Sequence, residues 1–208
     1  MTTKIRLGGF VVLIASLLFA KAAVEAAAWE VGNDRGSQTG VKATISTPSS
    51  APALVTNGTL SSWVSGGYPS WVQVGWLFIK GESTAHRYVE VVINGSLHSL
   101  NYYGTQSWGT TVNYTSSYGG SSTWYGYING VFEGGGGPIY SPNYVAGRTE
   151  TQPTCGSQMS STFSSVSYED SSGGWHLFDQ ANWLNNANYS IHKYANYNYE
   201  DYGPAPSC

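Results

Sequence analysis

The stretch Trp71-Val-Gln-Val-Gly-Trp-Leu-Phe-Ile79 decides how the rest of the chain is read. Its alternation places Val72, Val74, Trp76 and Phe78 on one side of an extended segment. Trp71, Gln73, Gly75, Leu77 and Ile79 fall on the other. The first set is uniformly large and apolar, as the core face of a strand must be. The second sets an amide between apolar neighbours. This is the reading of a strand in a layered β protein, with Gln73 on the face away from the core.

Working outward, Lys80-Gly-Glu82 is a turn, and Arg87–Ile93 alternates again with Val89, Val91 and Ile93 opposite Tyr88 and Glu90. Asn94-Gly95 and Asn129-Gly130 are two-residue hairpin signals, because both residues tolerate positive φ. Further strands are expected at 40–46, 53–64 (interrupted at Asn57-Gly58), 97–103, 110–116, 124–128, 131–133, 148–152, 163–168 and 175–178. Residues 33–40 read as a loop, and Gly134–Gly137 reads as a bend before Pro138. The tail from Asn182, rich in Asn and Tyr, reads as surface packing or loose structure. No stretch carries a convincing amphipathic helix. Many short strands with Gly-rich turns predict an all-β fold, an antiparallel two-sheet sandwich or jelly roll.

Composition agrees. Only 10% of the 208 residues are charged, while Tyr, Trp and Gly number 16, 8 and 26. A chain poor in Lys and Glu and rich in aromatic residues favours strands and tight turns. Lys4 and Arg6, the apolar run Phe10–Ala20 and a small-residue site ending at Ala28 have the layout of a secretory signal. Residues 1–28 are therefore expected to be a removed signal peptide and 29–208 one secreted domain. The apolar run is shorter than the ~20 residues that span a bilayer, so no membrane partner is expected after removal. Lys4, Arg6, Lys21 and Glu25 contribute +2 to the formal −3, so the mature domain carries about −5. That charge, with no basic run, argues against nucleic acid as a partner. The expected state is a monomer. Export permits a disulfide, and Cys155 and Cys208 are the only pair available within the chain, with free thiols or an intermolecular bond as the alternatives.

Motifs narrow the chemistry. The four histidines, His86, His98, His176 and His192, are scattered and form no metal-ligand spacing, so neither a metal nor another cofactor is expected. There is no Gly-x-Ser-x-Gly elbow and no phosphate-cradling glycine loop. What remains are carboxyls and amides in strand-like segments: Gln73, Glu90, Glu133 and Glu150. A carboxyl partly withdrawn from water is held protonated and can exchange protons with a substrate. A neighbouring amide can hold water and bind an oxyanion.

Gln73-Val-Gly-Trp76, Tyr88-Val-Glu90, Asn129-Gly130 and Thr149-Glu150 follow the order of motifs in the glutamic peptidases, which the chain resembles over roughly 73–168. The eqolisin branch has a Gln-Thr-Gly strand, a later Tyr-x-Glu strand and a late catalytic Glu. The neprosin branch has a Gly-Trp strand and a Gln-Met-Gly-Ser element, to which Gln158-Met-Ser-Ser161 is similar. The resemblance implies a concanavalin-like β-sandwich and an acid-range endopeptidase acting on polypeptides. Carried over by position, Gln73 and Glu150 are the catalytic pair and Glu90 matches a strand glutamate without a catalytic role; Tyr88, Glu90, Trp71 and Trp124 are expected to line the substrate cleft. The chain departs from neprosins in having Gln at position 73 and from eqolisins in the Arg148–Gln152 context. The competing expectation is glycan binding by exposed rings, with Trp63, Tyr68, Tyr102, Tyr103, Tyr125 and Tyr127 as further candidates, or a surface or matrix role without a small ligand.

Overall fold

The computed structural model describes residues 29–55, 57–139, 144–152, 157–180, 182–185 and 189–203. The expected signal segment and both cysteines lie outside the described residues. Every regular element among the described residues is a strand: β1 (Trp29–Gly36), β2 (Gly40–Ser46), β3 (Thr59–Gly66), β4 (Trp71–Ile79), β5 (Ala85–Ile93), β6 (Ser96–Gln106), β7 (Thr111–Tyr118), β8 (Trp124–Ile128), β9 (Val131–Gly136), β10 (Tyr144–Gln152), β11 (Met159–Glu169), β12 (Trp175–Leu177), β13 (Asn182–Asn185), β14 (Ser190–Ala195) and β15 (Asn198–Gly203).

They form two antiparallel sheets. One has seven strands in the order β13-β1-β10-β3-β4-β5-β6, the other eight in the order β14-β15-β11-β2-β7-β8-β9, with β12 added beside β11. The expected β-sandwich is what the chain adopts. Hairpins build each sheet locally, and Asn94, Gly95, Asn129 and Gly130 all take the positive φ that tight turns demand.

Val72, Val74, Trp76 and Phe78 are all buried between the sheets. Across from them stand Ala43, Ile45, Tyr114, Trp124, Ile128, Phe163 and Tyr199 in the same continuous core. Packing is close enough that two glycines are required. A Cβ on Gly66 would fall 1.9 Å from the Trp124 ring, and one on Gly126 would meet Val74 at 2.8 Å.

Three expectations are corrected. Residues 33–36 belong to β1, because Val31 enters the core while the polar residues on the other face find partners on β10. The glycines 134–136 complete β9, where small residues let its backbone lie over Val89 and Val91. The tail is built into both sheets: Tyr199 is fully buried, stacks on Phe163 at 4.8 Å, and donates to the Gly147 carbonyl at 2.7 Å.

Candidate functional site

The seven-stranded sheet has an unusual outward face. A second sheet covers one face only, yet residues on the uncovered face are also withdrawn from water. Ser61, Trp63, Ser65, Gln73, Leu77 and Tyr88 are each less than a tenth exposed. Trp63, Leu77, Tyr88 and Ala146 form a second apolar cluster there, with Ile79, Leu100 and Tyr144 packed against it. Trp63, Leu77, Tyr88, Leu100 and Tyr144, with Ser61, Ser65 and Gln73, wall a cavity of about 590 Å³.

Register fixes how the functional side chains meet, in three rows across the sheet. The first runs Leu100, Glu90, Gln73, Ser65, Ala146, Asp34. The second runs Tyr102, Tyr88, Gly75, Trp63, Arg148, Gly32. The third runs His86, Leu77, Ser61, Glu150, Glu30. Gly75 therefore leaves the middle of the face without a side chain, between Trp63 and Tyr88. No larger residue fits, since a Cβ there would lie 2.0 Å from the Ser62 carbonyl oxygen.

Gln73 and Glu150 thus share a sheet, a face and a cavity, but not a row. Their backbones stand two strands apart, about 10 Å, and four residues apart along the strand, about 13 Å. Tyr88 lies between them. Gln73 Nε2 donates to the Tyr88 hydroxyl at 2.5 Å, and Ser61, the cross-strand neighbour of Glu150, is turned toward the same hydroxyl. Burial and the nearby charges of Glu90 and Glu150 hold the Tyr88 proton in place, pushing its pKa well above the ordinary value.

Glu90, not Glu150, is the direct cross-strand neighbour of Gln73. Facing residues of such a pair bring their Cβ atoms to about 5 Å. Trp71 Nε1 donates to Glu90 Oε1 at 3.3 Å. Burial outweighs that hydrogen bond, and the Glu90 pKa rises to about 6.

Glu150, half-buried like Glu90, has more charged and polar neighbours acting on it. Burial, then the charge of its cross-strand neighbour Glu30, push its pKa up to about 7. The charge of Glu90 adds in the same direction, while Gln152 and the Trp63 indole N–H act against it. The Gln152 amide donates to Glu150 Oε1. The Trp63 N–H is turned toward Glu150 without closing a full hydrogen bond. Arg148 spends its donors elsewhere. It forks onto Asp34, with Nε to Oδ1 at 2.8 Å and Nη2 to Oδ2 at 2.5 Å, and also reaches Glu30 and the Tyr144 hydroxyl. The adjacent arginine thus neutralises Glu30 and Asp34 and leaves Glu150 without a cation of its own.

Of the expected cleft residues, Trp71, Tyr88 and Glu90 line the cavity and Trp124 does not. Trp124 is a strand residue of the other sheet, fully buried between the layers against Gly66. Its role is corrected to core packing: Trp124 shares its face with Gly126 and Ile128, which turn inward, while Tyr125 and Tyr127 turn outward. Sequence reasoning missed Glu30, Ser61, Trp63 as a wall, and Arg148 as the clamp on Glu30. Their signal lies in pairing between β1, β10 and β3, which no local pattern reveals. Glu133 sits on β9, away from the cavity lining. The rings of Tyr125, Tyr127 and Phe132, on the outward face of the eight-stranded sheet, meet at 82° and 68°, edge to face rather than as a coplanar platform. Among the described residues, no group of three or more His, Cys, Asp or Glu side chains is placed to hold a metal ion.

No protein-family model and no curated protein matches the sequence. Solved structures do match in fold. Scytalido-glutamic peptidase with a peptide-based transition-state analog superposes with a TM-score of 0.61 at 11% identity, over 85% of this chain and 99% of that one. The same peptidase with a transition-state analog inhibitor gives 0.63 at 12%, over 85% and 99%. SCP-B, a member of the eqolisin family of peptidases, in complex with the tripeptide Ala-Ile-His, gives 0.56 at 14%, over 84% and 98%. At such identities the likeness is one of fold, and it extends over nearly the whole of those chains.

Proposed function

We propose that the chain is a secreted hydrolase of polypeptides, of the glutamic type, working in the cavity on the outward face of the seven-stranded sheet. The observation that carries this reading is Glu150, a half-buried carboxyl beside Glu30, with a pKa raised to about 7, in the wall of a cavity that Gln73 also lines. A group with that pKa changes protonation where a peptide bond needs a proton donor and acceptor near neutral pH. Glu150 exchanges the proton, and the Gln73 amide, anchored through one N–H by Tyr88, offers its remaining polar atoms to water and to the oxyanion. The shared fold with peptidases supports the choice of peptide over other substrates. The raised pKa moves the working range from the acid range implied by the sequence resemblance toward neutrality.

The test is cleavage of a fluorescently labelled, reduced and alkylated protein by the purified mature chain, scanned from about pH 2 to 9. The wild-type chain should cleave it, and Glu150→Gln should be slower by ~100-fold or more, the usual worth of a positioned acid or base. No cleavage at any pH, or equal cleavage by the variant, overturns the reading.

A further inference from the structure

We propose that Glu90 is a second catalytic carboxyl: it takes a proton from a water held by Gln73, while Glu150, on the far side of Tyr88, protonates the departing amine. This rests on the hydrolytic reading above. The argument is one of rows. A water hydrogen-bonded to the Gln73 amide stands beside Glu90, its facing neighbour, whereas Glu150 lies two strands and four residues away. Trp71 is the one hydrogen-bond partner of Glu90 among the described residues and holds Oε1, which leaves Oε2 to accept a proton. Glu150 sits on the opposite side of the empty position at Gly75, where a substrate carbonyl set between Trp63 and Tyr88 would direct its nitrogen.

The step balances. Water oxygen bonds to the carbonyl carbon as Glu90 accepts one proton. The tetrahedral intermediate then expels nitrogen, which receives its proton from Glu150. The products are an acid and an amine, with Glu90 protonated and Glu150 ionised. Proton exchange with solvent through the cavity mouth restores the starting state.

Burial raises both carboxyls, and different groups face each of them. Glu90 is faced by Trp71 and Gln73 of β4, Tyr88 of its own strand, and Leu100 and Tyr102 of β6, and titrates near 6. Glu150 is faced by Glu30 of β1, Ser61 and Trp63 of β3, and Arg148 and Gln152 of its own strand, and titrates near 7. Each carboxyl acts on the other, so the two protons leave in steps that belong to the pair, and position assigns the roles: Glu90 faces the Gln73 amide and Glu150 stands across the Gly75 gap. A pair of this kind gives a bell-shaped rate profile, whereas a single Glu150 acting first as base gives a rate that rises through pH 7 and stays high.

The experiment measures kcat/KM from pH 4 to 9 on the labelled, unfolded protein substrate for wild type, Glu90→Gln and Trp71→Phe, with circular dichroism to confirm folding. The pair predicts a maximum between about 6 and 7 and a loss of ~100-fold or more in Glu90→Gln. It also predicts that Trp71→Phe moves the acid limb upward and leaves the basic limb in place, because the lost hydrogen bond favoured ionised Glu90. A purely structural role for Glu90 would not move one limb alone. An active wild type with a plateau above pH 7, or a Glu90→Gln variant within about threefold of wild type, overturns the second carboxyl and leaves the hydrolytic reading standing. An inactive wild type overturns both.

Discussion

The outward faces of the two sheets are built from similar residues and end in different states. On the eight-stranded sheet, Thr111 and Asn113 are exposed, Thr115 and Ser117 are half-buried, and the Thr44 hydroxyl bonds the Asn113 side chain at the surface. On the seven-stranded sheet, Ser61, Ser65 and Gln73 occupy equivalent outward positions and are buried. The polar chemistry is alike, but the second face is walled by Trp63, Tyr88, Leu77, Leu100 and Tyr144. Those walls restrict water, and partial withdrawal from water turns ordinary side chains into groups with shifted proton affinity. Glutamates on a solvated strand face would titrate near 4.3. Glu90 and Glu150 do not.

The comparison breaks most sharply at Glu150. Glu150→Gln should lower peptide cleavage by ~10² to 10⁴-fold, while Asn113→Ala on the opposite sheet should leave the rate unchanged in the same assay. Next comes Gly75→Ala. Its Cβ must displace the backbone of Ser62 and Trp63, so urea unfolding should show a loss of ~3 kcal/mol or more, in the range of severe core defects.

A third effect follows from the raised carboxyl pKa values. A carboxyl whose pKa is higher folded than unfolded binds more protons in the native state between the two values. Its stabilisation is therefore complete below about 4.5 and is lost as pH rises through the folded value. For Glu150 that window runs from 4.5 to about 7, for Glu90 from 4.5 to about 6, and Asp201, enclosed between the sheets near Thr149, shifts in the same direction. At ~1.4 kcal/mol per pH unit of displacement, Glu150 alone should make the domain roughly 2–3 kcal/mol less stable at pH 8 than at pH 4.5. Thermal unfolding of Glu150→Gln should show that much flatter a dependence. The smallest effect is expected from Thr115→Val, on the half-buried outward face of the eight-stranded sheet. It should change stability by no more than ~0.5 kcal/mol and activity not at all.

How far the sequence reveals this site depends on which interactions are local. The alternation of β4 assigns Val72, Val74, Trp76 and Phe78 to the core and Gln73 to the other face, and both Asn-Gly hairpins follow from turn chemistry alone. Placement of Tyr88 and Glu90 opposite β4 follows from the same periodicity. The partners of Glu150 are another matter. Glu150 of β10 pairs with Ser61 of β3 and Glu30 of β1, more than eighty residues away in each case, so neither can be matched to Glu150 from spacing. The row offset between Gln73 and Glu150, which brings Glu90 forward, is a property of register across three strands. β1 and the tail strands escaped notice because their polar residues serve internal partners: Asp34 holds Arg148, and the Asn33 side chain donates to the Asn196 carbonyl at 2.8 Å. A polar residue with a buried partner reads as loop until the partner is known.

The most direct test of the central claim, that the walled face holds two carboxyls out of their ordinary range, is a carboxyl ¹³C NMR titration of residues 29–208 labelled at glutamate, with Glu90→Gln and Glu150→Gln to assign the signals. The account predicts one resonance titrating near 6 and lost in the first variant, and another near 7 and lost in the second. Two resonances titrating together near 4.5 would mean that water reaches both groups, and would contradict the account of the cavity and the chemistry built on it.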